Sequence, residues 1–373
     1  MTFSSSKLLK TTYLKILRKR STFCPRMTST QKMDQVLIMP DSHDNCQELL
    51  KKIQDECKNK GLPDFMKREF TMLPATTAQN SSNIPKIRLL QWNVLAQALS
   101  VGTDNFILCP MSALSWDTRK LRILEGILNN NPDVICLEEV DHFDYLSSHL
   151  TSVGYSGIFQ PKPDSPCLYL SNSMGPDGCA LFYRKDYLKL LDFQKIGLKS
   201  EDGKLMNQVA IHCLLKIISG AEDGKDKFSV IVTHLKAKDG FEKLRYEEGN
   251  FILDYIHKNA KSWPVIVCGD FNADPMEEVY KSFSKSDLKL FSAYTKLSDE
   301  GSEPSYTTWK VRDSPTGPVE ICRTIDYIWC SQKSLEILSL LDLPKDEDVG
   351  QNRLPSHSYP SDHLSLVCDF QLI

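Results

Sequence analysis

The sequence predicts an α/β layered fold, and three observations carry that prediction. Short apolar bursts of strand length recur from residue 85 to the C-terminus. Longer segments with helical periodicity, such as 119–129 and 241–259, alternate with them, the pattern of helices layered on a sheet. The 373 residues are 41% hydrophobic and 25% charged, an ordinary globular composition with enough chain for one large domain or two small ones. No apolar run approaches the roughly 18–20 residues of a membrane span.

In chain order, residues 1–33 come first, with eight Lys and Arg and no Asp or Glu. Leu9, Tyr13, Leu14, Ile16 and Leu17 gather on one side of a helical wheel, with Lys7, Lys10, Lys15, Arg18 and Lys19 on the other. This basic, amphipathic, acid-free composition is that of a mitochondrial targeting segment. Initiation at Met27 or Met33 would give a cytoplasmic form without it. The rest of the chain holds 37 Lys and Arg against 48 Asp and Glu, a net charge of −11. So acidic a body is a poor general polyanion binder, because non-specific nucleic-acid affinity comes from Lys and Arg displacing counterions. Any phosphate recognition has to be local.

Residues 41–60 predict a helix, with Leu49, Leu50, Ile53 and Cys57 at helical spacing and Gly61-Leu62-Pro63 as its stop. Residues 74–84 read as a linker, so 34–84 forms an N-terminal helix and linker, and 85–373 the main domain. The twelve cysteines show no C-x-x-C and no zinc-like Cys/His spacing. Several, such as Cys136, Cys268 and Cys368, lie in apolar runs and read as reduced, buried structural thiols of an intracellular protein.

From residue 85 onward the apolar bursts keep ending on polar residues. Ile87 to Gln91 runs into Trp92-Asn93, Val134 to Leu137 into Glu138-Glu139, and Phe228 to Val232 into Thr233-His234. Val265 to Cys268 stops at Gly269 and delivers Asp270 and Asn272. Asp326 precedes the run Tyr327 to Trp329, and Ser361-Asp362-His363 opens the last one. Singly, each has a structural explanation: an Asx turn at Asp270, a sheet-edge His234, a solvated Glu139, an Asp326 paired with Arg323. Six together supply what metal-assisted phosphate chemistry needs. That is a hard oxygen ligand for Mg2+, a carboxylate to orient water, amide donors, and histidines facing phosphate oxygens.

The set W-N, E-V, T-H-L, G-D-F-N, D-Y and S-D-H, in this order over 85–373, resembles the endonuclease/exonuclease/phosphatase superfamily. That resemblance implies a DNase I-like four-layer sandwich, two packed mixed β-sheets flanked by helices, with the site at one end. It also implies residue roles. Glu139 would be the main Mg2+ ligand with Asn93 close by, and Asp270 would orient or deprotonate the attacking water. Asn272 would hold that water or a phosphate oxygen, Asp326 would fix the tautomer of His363, and His363 would donate to the phosphate. His234 would stabilise charge developing on the phosphoryl group. Glu138 stands where many members have Gln.

The longer strings DNFILCP, PKPDSPC, GPDGCALF, NQVAI, THLKA, YTTWK and YPSDHLSLVCDF resemble one branch of that superfamily, associated with removing the 2′-phosphate from NADP(H). The resemblance implies NADP(H) as a small-molecule substrate. Lys162, Lys236, Lys238 and Arg312 would be the cations that converge on its terminal dianion. Vertebrate members of the branch carry Arg at the position of Lys238, and Lys cannot reproduce a bidentate guanidinium contact. NADP as a redox cofactor is disfavoured, since there is no G-x-G-x-x-G after a strand and no Walker-type loop. The alternative activity is that of the related 3′–5′ poly(A) exoribonucleases, which requires a nucleotide track with aromatic platforms and cations. A scaffold without catalysis is the non-enzyme alternative, and a monomer is the default state.

Overall fold

The computed structural model describes residues 45–74, 85–100, 106–171, 173–218, 220–221, 225–260 and 262–373. The targeting segment expected over 1–33 and nearly all of the expected linker lie outside the described residues. Two mixed sheets stack face to face. One has seven strands in the order β1 (Phe70–Met72), β14 (Leu335–Leu341), β15 (Leu366–Leu372), β2 (Lys86–Asn93), β3 (Val134–Glu138), β5 (Gly178–Arg184), β4 (Tyr155–Pro161). The other has six, in the order β10 (Leu290–Ser292), β13 (Asp326–Ser331), β9 (Val265–Asp270), β8 (Lys227–His234), β7 (Leu205–Ile217), β6 (Leu188–Lys199). A separate ribbon pairs β11 (Thr308–Arg312) with β12 (Val319–Arg323).

The period-two alternation of strands explains why the central ones read as unbroken apolar runs. Leu89, Val134, Cys136, Ile266 and Cys268 point between the sheets, into one core. Their neighbours Leu90, Trp92, Ile135 and Leu137 point outward into a second core. That core is covered by α1 (Asn45–Asn59), α2 (Trp116–Asn130) and α3 (Phe143–Ser152). Val265 and Val267 point into a third core, under α4 (Glu242–Asn259) and α5 (Glu278–Ser284). Both faces of each central strand are therefore buried, as the layered prediction requires. The eleven described cysteines form no disulfide, and ten of them are buried. Among the described residues no helix is long and apolar enough to cross a membrane.

The helix predicted over 41–60 is present as α1, and it shares the core of the main domain. Cys46, Leu49, Leu50, Ile53 and Cys57 pack in the same cluster as Leu90, Trp92 and Leu124. Strand β1 pairs with β14, and Arg68 donates to the carbonyls of Leu341, Asp342 and Ser365. Elements before residue 85 thus belong to the same core as the sheets. Leu49 is fully buried, so Leu49→Ala should cost about 2–5 kcal/mol of unfolding free energy in denaturant titration. A loss below about 0.5 kcal/mol would show that α1 is peripheral to the core.

Candidate active site

Two parallel strand pairs, β2 with β3 and β8 with β9, place functional groups side by side. Their registers set Asn93 opposite Glu138 and His234 opposite Asp270 at the C-terminal strand ends. Antiparallel β13 adds Asp326 opposite Asp270 on the other side. Gly269 makes the β8–β9 contact possible: a Cβ there would lie 1.9 Å from the Thr233 carbonyl oxygen, at φ +149. No side chain fits that approach.

Around this junction the polar side chains connect. Asn93 donates through Nδ2 to Asp270 Oδ2 at 3.0 Å and to Glu139 Oε1 at 3.2 Å. Glu139 Oε2 accepts from the Ala96 amide at 3.1 Å. Asp270 Oδ1 accepts from the Asn272 amide at 2.8 Å, and Asn272 Nδ2 donates to the Leu235 carbonyl at 3.1 Å. Glu139 and Asn272 both sit at positive φ, +54 and +50. A left-handed non-glycine residue costs about 1–3 kcal/mol, and such strain gathers at functional sites.

The two histidines both approach Asp270 Oδ2, His234 Nε2 at 3.6 Å and His363 Nε2 at 3.8 Å. His363 Nδ1 lies 2.9 Å from Asp326 Oδ2, which also accepts from Thr307 Oγ1 at 2.6 Å. Ser361 locks the segment: its hydroxyl donates to the Asn93 carbonyl at 2.6 Å and accepts from the His363 amide at 3.1 Å.

Electrostatics then separates the pair. Burial opposes protonation of His363, but Asp326, then Asp362 and Asp270, overcome it and raise its pKa to about 9. Burial, reinforced by the charges of Lys162 and His363, pushes His234 well below the usual range. One imidazole is cationic and the other neutral. Burial also raises Asp270 to about 7, partly offset by His363. Glu138, fully buried and hydrogen-bonded to Gln91 Nε2 at 2.7 Å, is raised well above the carboxylate range, chiefly by burial.

The donor set suits a hard divalent cation. Among the described residues, Asp270, Asp326 and His363 bring ligand-type atoms within 4.8 Å of one another, a group distinct from the expected Glu139 and Asn93. Within that group Asp326 Oδ2 already accepts from Thr307 Oγ1 at 2.6 Å and faces His363 Nδ1 at 2.9 Å. Beside it stand the carboxylate oxygens of half-buried Glu139, a hard donor of the kind Mg2+ takes, while Asn93 turns its amide nitrogen toward Glu139 and Asp270 and its oxygen toward the Leu95 amide.

A model described as the Endonuclease/Exonuclease/phosphatase family matches residues 90–363. The chain belongs to the endonuclease/exonuclease/phosphatase family. Nocturnin of Xenopus laevis is 46% identical over 361 residues, covering 95% of this chain and 90% of that one. The human nocturnin catalytic domain, solved with a bound sulfate anion, superposes with a TM-score of 0.66 at 43% identity, covering 82% of this chain and 98% of that one. More distantly, the Ccr4 exoribonuclease subunit of the CCR4-Not complex of Yarrowia lipolytica is 28% identical over 319 residues, 70% of this chain and 44% of that one. Enzymes of this family are hydrolases that depend on a divalent metal, in keeping with the oxygen donors gathered here.

The four expected substrate cations are placed unequally on this family scaffold. Lys162 is 9% exposed, with Nζ 2.7 Å from Asp177 Oδ2 and 3.5 Å from His234 Nδ1, so it is not a solvated surface lysine. Its charge is shared with Asp177 and is not free. Lys236 donates its amide to Glu248 Oε2 at 2.8 Å, and its ammonium charge acts on His234. Arg312 acts on Asp362. Lys238 is exposed at φ +83, and its carbonyl accepts from buried Arg245 at 2.8 Å. Arg323 pairs with Asp274, with Nε to Oδ2 at 3.0 Å, which leaves Asp326 to His363.

Sequence reasoning missed Lys310 as a site residue. Its Nζ donates to Asp362 Oδ2, both groups are buried, and its charge reaches His234. Although burial pushes Asp362 upward, Lys310 and then His363 hold its carboxyl below the ordinary range. The available signal was the K-x-R of β11: Lys310 and Arg312 share one face of an extended strand.

Proposed function

We propose that this protein hydrolyses the 2′-phosphate of NADP(H), giving NAD(H) and inorganic phosphate, with Mg2+ as its metal. The observation that supports this most directly is the set of basic side chains buried around Asp270. His234, His363, Lys162 and Lys310 are each at most 9% exposed there, a setting that suits a terminal phosphoryl dianion. The anion bound by the human nocturnin catalytic domain is a sulfate, an analogue of that group.

Mg2+, held by Glu139 with Asn93 close by, would supply Lewis-acid neutralisation of the phosphoryl charge. Asp270, with a pKa of about 7, is poised near neutrality to accept the proton of the attacking water. The rigid left-handed turn at Asn272, tied to Asp270 Oδ1, keeps that carboxylate aimed. Cationic His363 donates through Nε2 to a phosphoryl oxygen, while Asp326 holds Nδ1. Neutral His234 adds a second imidazole dipole. The water oxygen bonds to phosphorus as Asp270 takes its proton, the P–O bond to ribose breaks, and the leaving 2′-oxygen takes up a proton from solvent, so the products together gain one water.

Because Ccr4-type relatives are exoribonuclease subunits, the test needs an RNA arm. Purified residues 34–373 are incubated with NADPH and, separately, with short poly(A) RNA. Phosphate release from NADPH should stop in EDTA and return with added Mg2+. Arg312→Ala should reduce release by roughly 10- to 100-fold, as expected for a charged contact worth 1.5–3 kcal/mol. RNA shortening without phosphate release from NADPH would reject the proposal.

A further inference from the structure

The hairpin of β6 and β7 overhangs the catalytic end of its sheet. Ala210 pairs with Thr233, so residues 205–209 lie at and beyond the end of β8, where His234 stands. The overhang and the first turns of α4 enclose a groove of about 580 Å³, lined by Lys204, Met206, Gln208, Lys236, Lys243 and Leu244 among others. One wall is anchored to the catalytic pocket. Asn207 accepts from the Asp164 amide at 2.8 Å and donates to its carbonyl at 2.7 Å, two residues beyond Lys162. Lys236 belongs to both places, lining the groove while its charge acts on His234.

Asn93, His234, Asp270 and His363 are each at most 4% exposed, so they present little surface to a dinucleotide. Most of that ligand must lie on the adjoining surface, and the groove starts at Lys236. Its volume is of the size that takes a small-molecule ligand, about 300–1,000 Å³. Its chemistry is mixed in a way that suits one half of the molecule. Lys204 and Lys236 offer ammonium donors to a pyrophosphate. Met206 and Leu244 offer apolar surface to a ring. Part of the remaining charge is internally spent: Lys243 lies 3.6 Å from Glu247, and Asp202 accepts from Ser200 Oγ.

We infer that this groove receives the pyrophosphate and nicotinamide riboside of the dinucleotide, a subsite that resolves NADP(H) from simpler 2′-phosphates. The inference rests on the 2′-phosphatase reading. Adenine, which carries no charge, has no use for Lys204 and is the occupant the test must distinguish.

The experiment compares Lys204→Glu with wild type on two substrates, NADPH and adenosine 2′-monophosphate. Lys204 is exposed on the hairpin tip, so the variant keeps its fold. KM for NADPH should rise about tenfold, the loss of one charge-assisted contact, with kcat within twofold. The kinetics of adenosine 2′-monophosphate should stay within twofold. Equal losses on both substrates, or no loss on either, would overturn the inference. A second readout needs no turnover. In EDTA, NADPH binding is followed by the fluorescence of its reduced nicotinamide, and Lys204→Glu or Met206→Glu should weaken it about tenfold. Unchanged binding in both variants would also overturn it. If wild type binds NADPH in the groove yet releases no phosphate from either compound, the 2′-phosphatase reading fails and the groove assignment stands.

Discussion

Asp270→Asn should lower kcat for NADPH by roughly 10²–10⁴-fold, the range over which a positioned general base contributes. The carboxylate accepts from the Asn93 side chain at 3.0 Å and from the Asn272 amide at 2.8 Å. An amide in its place keeps only one acceptor oxygen and cannot take a proton from water. Burial holds the native group at about 7, where it binds and releases a proton near neutral pH. The variant should remain folded, because removing the charge of a buried carboxylate also removes its desolvation cost. Steady-state phosphate release and a thermal melt check both parts. Activity within tenfold of wild type would remove Asp270 from the role of base.

The second large effect concerns His363. His363→Gln should cost roughly 10²–10³-fold in kcat, the scale for losing one donor aimed at developing charge. Gln can reach toward Asp326 but cannot carry the positive charge that Asp326, Asp362 and Asp270 sustain on the imidazole. Asp326→Asn should produce a large share of the same loss, since it leaves the ring in place and withdraws the carboxylate 2.9 Å from Nδ1. Because the two act as a unit, the double variant should be only slightly worse than His363→Gln alone. Losses that multiply in the double variant would mean the residues act independently, and the Asp326–His363 pairing would lose its catalytic meaning.

These two predictions rest on residues legible in the sequence. Asp270 ends an apolar burst, Asp326 opens one, and His363 sits in Ser361-Asp362-His363; strand periodicity and burst length reveal such positions. Lys310 was not legible, because one lysine two residues before an arginine looks like any solvated strand edge. Its role appears only when β11 meets the 361–363 segment, through the bridge between Thr308 and His363. Lys162 was legible as a cation but not as one committed to Asp177, fifteen residues away. Lys238, which the resemblance groups with the substrate cations, is exposed, and the sequence does not show that its carbonyl holds Arg245.

Legible along the chain were the alternation of buried strands and amphipathic helices, a helix within 41–60, and the polar residues that cap each apolar run. All of these depend on neighbours along the chain, where the periods of strand and helix act. Only the folded arrangement sets the opposite pKa shifts of the two histidines, the partners of Lys162 and Lys310, and the packing of α1 into the main core. Those follow from registers such as His234 against Asp270 and Asp326 against Asp270, and from burial. In a low-dielectric interior, a displacement of a few ångströms changes which carboxylate a cation answers to. Neighbouring residues in the chain carry no record of that distance.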